Sequence, residues 1–140
     1  MPLLANDTAG AVTRKRIESY VATSEKVPIV AATDAATVQT AAQLAGAGRV
    51  VYTMTPSAAR TLTTPTGAEL GAAFTDEAVG TSFEFTVVNV SATTHAITLT
   101  AGATGVTLLG VSGMATVAAA SSATFVGVFT AANTVSIYRK

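Results

Sequence analysis

No cysteine occurs anywhere in this chain of 140 residues, which excludes disulfides, thiol nucleophiles and thiolate metal sites and leaves the redox compartment open. Tryptophan is also absent, and five phenylalanines and three tyrosines make up the whole aromatic content. There is one histidine, His95, so any Ser/His/Asp arrangement would have to use it. It sits in "NVSATTHAITL", far in sequence from any carboxylate, and reads as a solvated hairpin-turn residue. Asp76 and Glu77 are the one adjacent acidic pair in the second half of the chain, but consecutive side chains diverge on either secondary structure, so a helix-end or loop role is expected. Charge is scarce and balanced, 8 basic against 8 acidic residues, and from Phe85 to Tyr138 there is none at all. A neutral chain has no field to gather nucleic acid or an anionic membrane, so neither is expected as a partner. With no nucleophile, base and orienter to assemble, no enzyme, metal site or cofactor is expected.

Threonine stands where charge is missing, in "TLTT", "ATTHAITLT" and "SSATF". Its β-branch suits a pleated surface while its hydroxyl faces water. Turn residues recur about every ten positions from Val27 onward, and the segments between them alternate. Ten strands are expected: "VPIVAAT", "ATVQT", "RVVYTMT", "ARTLT", "SFEFTVVNV", "THAITLTA", "GVTLLG", "ATVAA", "SATFVGVFT" and "TVSIYRK". In "GTSFEFTVVNV", Phe83, Phe85 and Val87 fall on one face, and Phe125 and Phe129 are expected to meet them in the core. The segment from Ala101 to Ala120 is uncharged and as long as a membrane span, but four glycines, three threonines and a serine interrupt it, so it reads as two short strands and a turn. Many short strands with close turns predict an all-β chain, an antiparallel sandwich or barrel of jelly-roll-like type.

Two breaks carry helical signals. "TAAQLAG" offers Thr40 as a cap and Gly46 as a stop, enough for a single turn. In "TPTGAELGAAF", Thr66 and Glu69 have capping-box spacing and Leu70, Ala73 and Phe74 share a face, which predicts the fold's one short helix over 67–74. The "AGAGRVV" glycines precede a strand and form a turn, not a phosphate cradle. "NDT" at Asn6 and "NVS" at Asn89 match the glycosylation acceptor pattern, without a secretory signal to give it meaning. The start reads as the mature start, near Met1. Charges crowd between Arg14 and Lys26, with few strand signals around them, so residues 1–30 are expected to form an extended N-terminal arm and residues 31–140 the β domain. Within the arm, Thr13 can cap a short helix that aligns Ile17, Tyr20 and Val21 beside the basic Arg14, Lys15 and Arg16.

The segments "PSAARTLTTPTGAEL", "VGTSFEF", "TAGATGVTLLG" and "VSIYRK" resemble small structural proteins of tailed bacteriophages, over about residues 38 to 140. The resemblance implies a capsid decoration (cement) protein on the outer surface of the virion head, a homotrimer bound to the major capsid protein and stabilising neighbouring capsomers. The same resemblance extends to head-fibre and tail-fibre modules that bind a host receptor or glycan, which is the alternative. A subunit that binds a preformed shell in many copies needs surface complementarity, not catalysis. The arm departs from the shared pattern, and its Arg14, Lys15, Arg16, Ile17, Tyr20 and Val21 are the expected capsid contacts.

Overall fold

A computed structural model describes residues 26–46, 48–75 and 77–140. All ten expected strands form: β1 (Ile29–Ala31), β2 (Thr37–Val38), β3 (Arg49–Met54), β4 (Arg60–Thr63), β5 (Ser82–Asn89), β6 (Ile97–Thr100), β7 (Val106–Leu109), β8 (Thr116–Val117), β9 (Ser121–Ala131) and β10 (Thr134–Arg139). Two short helices lie between them, α1 (Ala41–Gly46) and α2 (Gly67–Ala73). The strands make a six-stranded sheet in the order β1-β3-β5-β9-β10-β7 and a four-stranded sheet in the order β2-β4-β6-β8.

The expected antiparallel pairing is corrected. Five of the eight strand pairings are parallel, and only β5–β9, β9–β10 and β6–β8 are antiparallel. The cause is the path of the chain. From β1 to β9 each strand passes to the other sheet, and over β1 to β6 a strand's next neighbour in its own sheet is reached by two crossovers that restore its direction. The first six strands thus stack as three coils, and equivalent side chains fall on one another: Leu62 on Leu99, and Thr63 on Thr100, whose hydroxyls bond at 2.7 Å.

The alternating pattern places the core as expected. Phe83, Phe85, Phe125 and Phe129 are buried with Tyr52, Leu62, Ile97, Leu99, Val117 and Ile137, and the buried side chains of both sheets belong to one cluster. Phe85 and Phe125 are direct cross-strand partners with ring centroids 5.3 Å apart. Gly127 stands opposite Phe83, and a methyl group there would overlap the edge of that ring, so the glycine is the space the phenylalanine fills.

Both helices begin on capping boxes. At α2 the Thr66 hydroxyl accepts from the Glu69 N–H at 3.3 Å while Glu69 Oε2 accepts from the Thr66 N–H at 2.8 Å. The Thr66 N–H and then the Thr66 hydroxyl, which donates to the same Oε2 at 2.8 Å, hold the Glu69 carboxyl below its usual range. The helix stops at Ala73, with Phe74 as its C-cap, and the Phe74 ring packs against Phe83 and Phe129. The single expected helix therefore has a companion. Over "TAAQLAG" the Thr40 hydroxyl accepts from the Gln43 N–H and Gln43 Oε1 from the Thr40 N–H, and the resulting helix anchors on buried Leu44. The suspect stretch 101–120 forms β7, a turn and β8. Among the described residues no helix is long and apolar enough to cross a membrane.

Candidate functional site

The expected capsid contacts Arg14, Lys15, Arg16, Ile17, Tyr20 and Val21 lie outside the described residues. Asp76 lies outside them too, while Glu77 accepts the Asn133 N–H at 3.4 Å. His95 follows the bend at 92–94 in the β5–β6 connection, which crosses from one sheet to the other and so is not the expected hairpin turn, and its carbonyl accepts a hydrogen bond from Asn89 Nδ2 at 2.8 Å. Among the described residues no group of three or more His, Cys, Asp or Glu side chains is placed to hold a metal ion.

The polar groups that do converge act on the coils themselves. Asp34, in the β1–β2 connection, accepts from Arg60 Nε at 2.7 Å, from the Ser57 hydroxyl, and from the Ser57 N–H at 3.1 Å. The Arg60 bond, then those from Ser57, hold its carboxyl far below the usual carboxylate range, and Arg60 is raised in turn. This clasp ties two successive crossovers on one side of the stack. Asn89 is buried at the end of β5, donating to the carbonyls of His95 and Val117 and accepting from the Ser91 N–H. Its amide is fully used, so the acceptor pattern there is inaccessible in the folded chain.

Gln39 differs, as does the Oε2 of Glu77, which is also buried without a partner among the described residues. Gln39 itself is buried, and neither amide atom of its side chain has a partner among the described residues. Comparison with the next coil supplies the reason. Thr64 holds the equivalent place, its N–H donating to the Thr100 carbonyl as the Gln39 N–H donates to that of Thr63. The Thr64 hydroxyl then accepts from the Gly102 N–H at 2.8 Å. The residue that stands to Gln39 as Gly102 stands to Thr64 is Pro65, which has no N–H to give. A shallow groove of about 560 Å³ runs past this point, lined by Val38, Gln39, Pro65, Glu69 and Ala72 among others.

The remaining candidate is the apolar surface. The exposed large hydrophobic side chains gather at the two ends of the sheets: Val27, Ile29 and Val38 beside the edge strands β1 and β2, and Leu109, Val111 and Tyr138 at the β7–β10 end. Leu109 and Tyr138 are register partners. Sequence reading did not single out these six. For Tyr138 the signal was present, because Val135 and Ile137 point inward and therefore send Ser136 and Tyr138 the other way.

No family model matches the chain, and no curated protein or solved structure matches it either.

Proposed function

We propose that this chain is a structural subunit of a tailed-bacteriophage particle, a capsid decoration protein that binds the outer surface of the head as a homotrimer and braces neighbouring copies of the major capsid protein. The observation that carries the reading is the use made of the charge-free run from Phe85 to Tyr138. It builds most of β5 and all of the strands from β6 to β9, with a continuous buried face, hydroxyl pairs such as Thr86–Thr124 between strands, and apolar side chains left exposed at the edges. A rigid body with apolar edges and little charge suits a part that works by being packed against its neighbours. We read its two sheets as the layers of a sandwich built from mixed strands. The basic residues Arg14, Lys15 and Arg16 and the apolar Ile17, Tyr20 and Val21 are the capsid contacts in this proposal.

A fibre module that binds a receptor or glycan is the second reading, favoured by Tyr138, an exposed aromatic ring of the kind sugars stack on. Purified full-length protein added to heads stripped of their decoration separates the two. The first reading expects saturable binding in a fixed ratio to the major capsid protein and a higher disruption temperature of the head. Binding to host cells or their surface glycans, with none to stripped heads, supports the second and removes the first.

A further inference from the structure

We propose that the two edges of the six-stranded sheet that no described strand covers pair with each other between copies, β7 of one copy lying beside β1 of the next, so that the sheet runs on from subunit to subunit around a closed ring. This rests on the reading of the chain as a self-associating subunit and adds which surfaces meet.

Three observations select a second copy of this chain as the occupant. The first is where apolar surface is exposed. Of eight large hydrophobic side chains exposed among the described residues, six stand at the two ends of the sheets, with Ile29 at 73% exposure and Val111 at 81%. A twofold pairing of like edges would cover one end and leave the other in water, whereas a head-to-tail contact covers both, and rotation closes such contacts into rings. The second is strand direction. β1, β3 and β5 are parallel, β9 opposes them, β10 reverses again and β7 is parallel to β10, so β1 and β7 point the same way. A rotation axis along the strands preserves direction, so β7 meets the next copy's β1 in parallel, the pairing both edges already make inside the subunit. The third is charge. Neither edge strand, "IVA" or "VTLL", carries the inward or flanking charge on the strand itself by which edges are guarded against pairing. The nearest charges lie off both edge strands: Lys26 and Asp34 on either side of β1, the latter bonded to Arg60, and Arg139 and Lys140 at the end of β10 and just beyond it, the latter paired with Glu84. A chain with no net charge sets up no general repulsion between its copies.

Sedimentation velocity on the full chain tests this, from about 1 to about 100 µM, because association follows mass action. Ile29→Lys blocks the β1 edge and Val111→Lys the β7 edge, both at exposed positions, with circular dichroism and melting as the check on folding. Should either lysine variant melt early, Ile29→Thr and Val111→Thr keep the β-branch and take its place. The wild type is expected to sediment as a trimer and each variant as a monomer, association being at least about tenfold weaker once a charge sits in the contact. An equimolar mixture of the two variants is expected to form a one-to-one dimer, since one retains an intact β7 edge and the other an intact β1 edge. A wild type that stays monomeric, its edges covered by residues 1–25 of its own chain or by another protein, overturns the proposal. So does a variant that associates like the wild type, or a mixture that stays monomeric. A monomeric wild type that still saturates stripped heads would keep the decoration reading while removing this one.

Discussion

Truncating Phe85 to alanine probes the centre of the structure. The ring is completely buried, stacked on Phe125 at 5.3 Å, with Phe83 and Tyr52 each 6.4 Å away. Burying a phenylalanine side chain contributes about 1.5–3 kcal/mol by transfer alone, and a well-oriented aromatic pair adds about 0.5–1.5 kcal/mol. The strand that carries the ring, β5, is held on both sides by β3 and β9, which carry Tyr52 and Phe125, so the cavity has little room to collapse. The expected total is about 3–5 kcal/mol, a large part of the roughly 5–15 kcal/mol that holds a domain of this size folded. Urea melts should show the midpoint fall with little change of slope, because the surface exposed on unfolding is nearly the same. Phe85→Leu, which keeps most of the volume, should lose clearly less. A loss below about 1 kcal/mol for the alanine variant would mean that the inward face of β5 has been misassigned, since no exposed or loosely packed ring costs as much as a buried one.

Gly127→Ala should destabilise by about 1–3 kcal/mol although alanine is the better strand residue, because its methyl needs the space of the Phe83 ring; in the Phe83→Leu background the penalty should shrink, and an unchanged penalty in thermal melts refutes the contact. Thr66→Ala should cost about 1 kcal/mol through the lost cap, well short of the Phe85→Ala effect in the same denaturant assay. Asp34 is held ionised by Arg60 and Ser57, so the stability it contributes is present above the ordinary carboxylate pKa of about 3.9 and is lost as pH falls below it. Asp34→Asn should therefore flatten the acid limb of a stability–pH profile below about pH 4; an acid limb identical to the wild type would show that the clasp does not persist in solution. His95→Ala should leave the melting temperature and head binding unchanged, and a hydrolytic activity abolished by it would contradict the structural reading.

Strand positions were legible in the sequence because burial on one face imposes a period of two, and "SFEFTVV" and "SATFVGVF" carry it plainly. Partnership was not, since the same alternation serves parallel and antiparallel strands. The connection between β1 and β2 is short enough for a hairpin, yet it leads to the other sheet. A regular repeat would have betrayed the stacked coils, but the offsets differ: Thr37 lies on Leu62, 25 residues on, and Leu62 on Leu99, 37 residues on. The second coil is longer because α2 and the turn after it are inserted between β4 and β5, which hides the period. The box at Thr66 was readable because Glu69 is a strong partner for it; at Thr40 the partner is Gln43, whose place in "TAAQLAG" showed the cap and the stop but not the reciprocal bond. The apolar ends followed in part from alternation, as for Tyr138, but which strands are edges depends on the order of the sheet, and no local pattern carries that.

We propose that this chain decorates the outside of a phage head, and an electron-microscopy reconstruction of the particle that contains it is the decisive experiment. Density matching the two sheets is expected on the outer surface of the head, in threefold clusters with β7 of one copy beside β1 of the next, at a fixed ratio to the major capsid protein. Density of this shape confined to the tail or to a fibre tip, or none on the head, would contradict it.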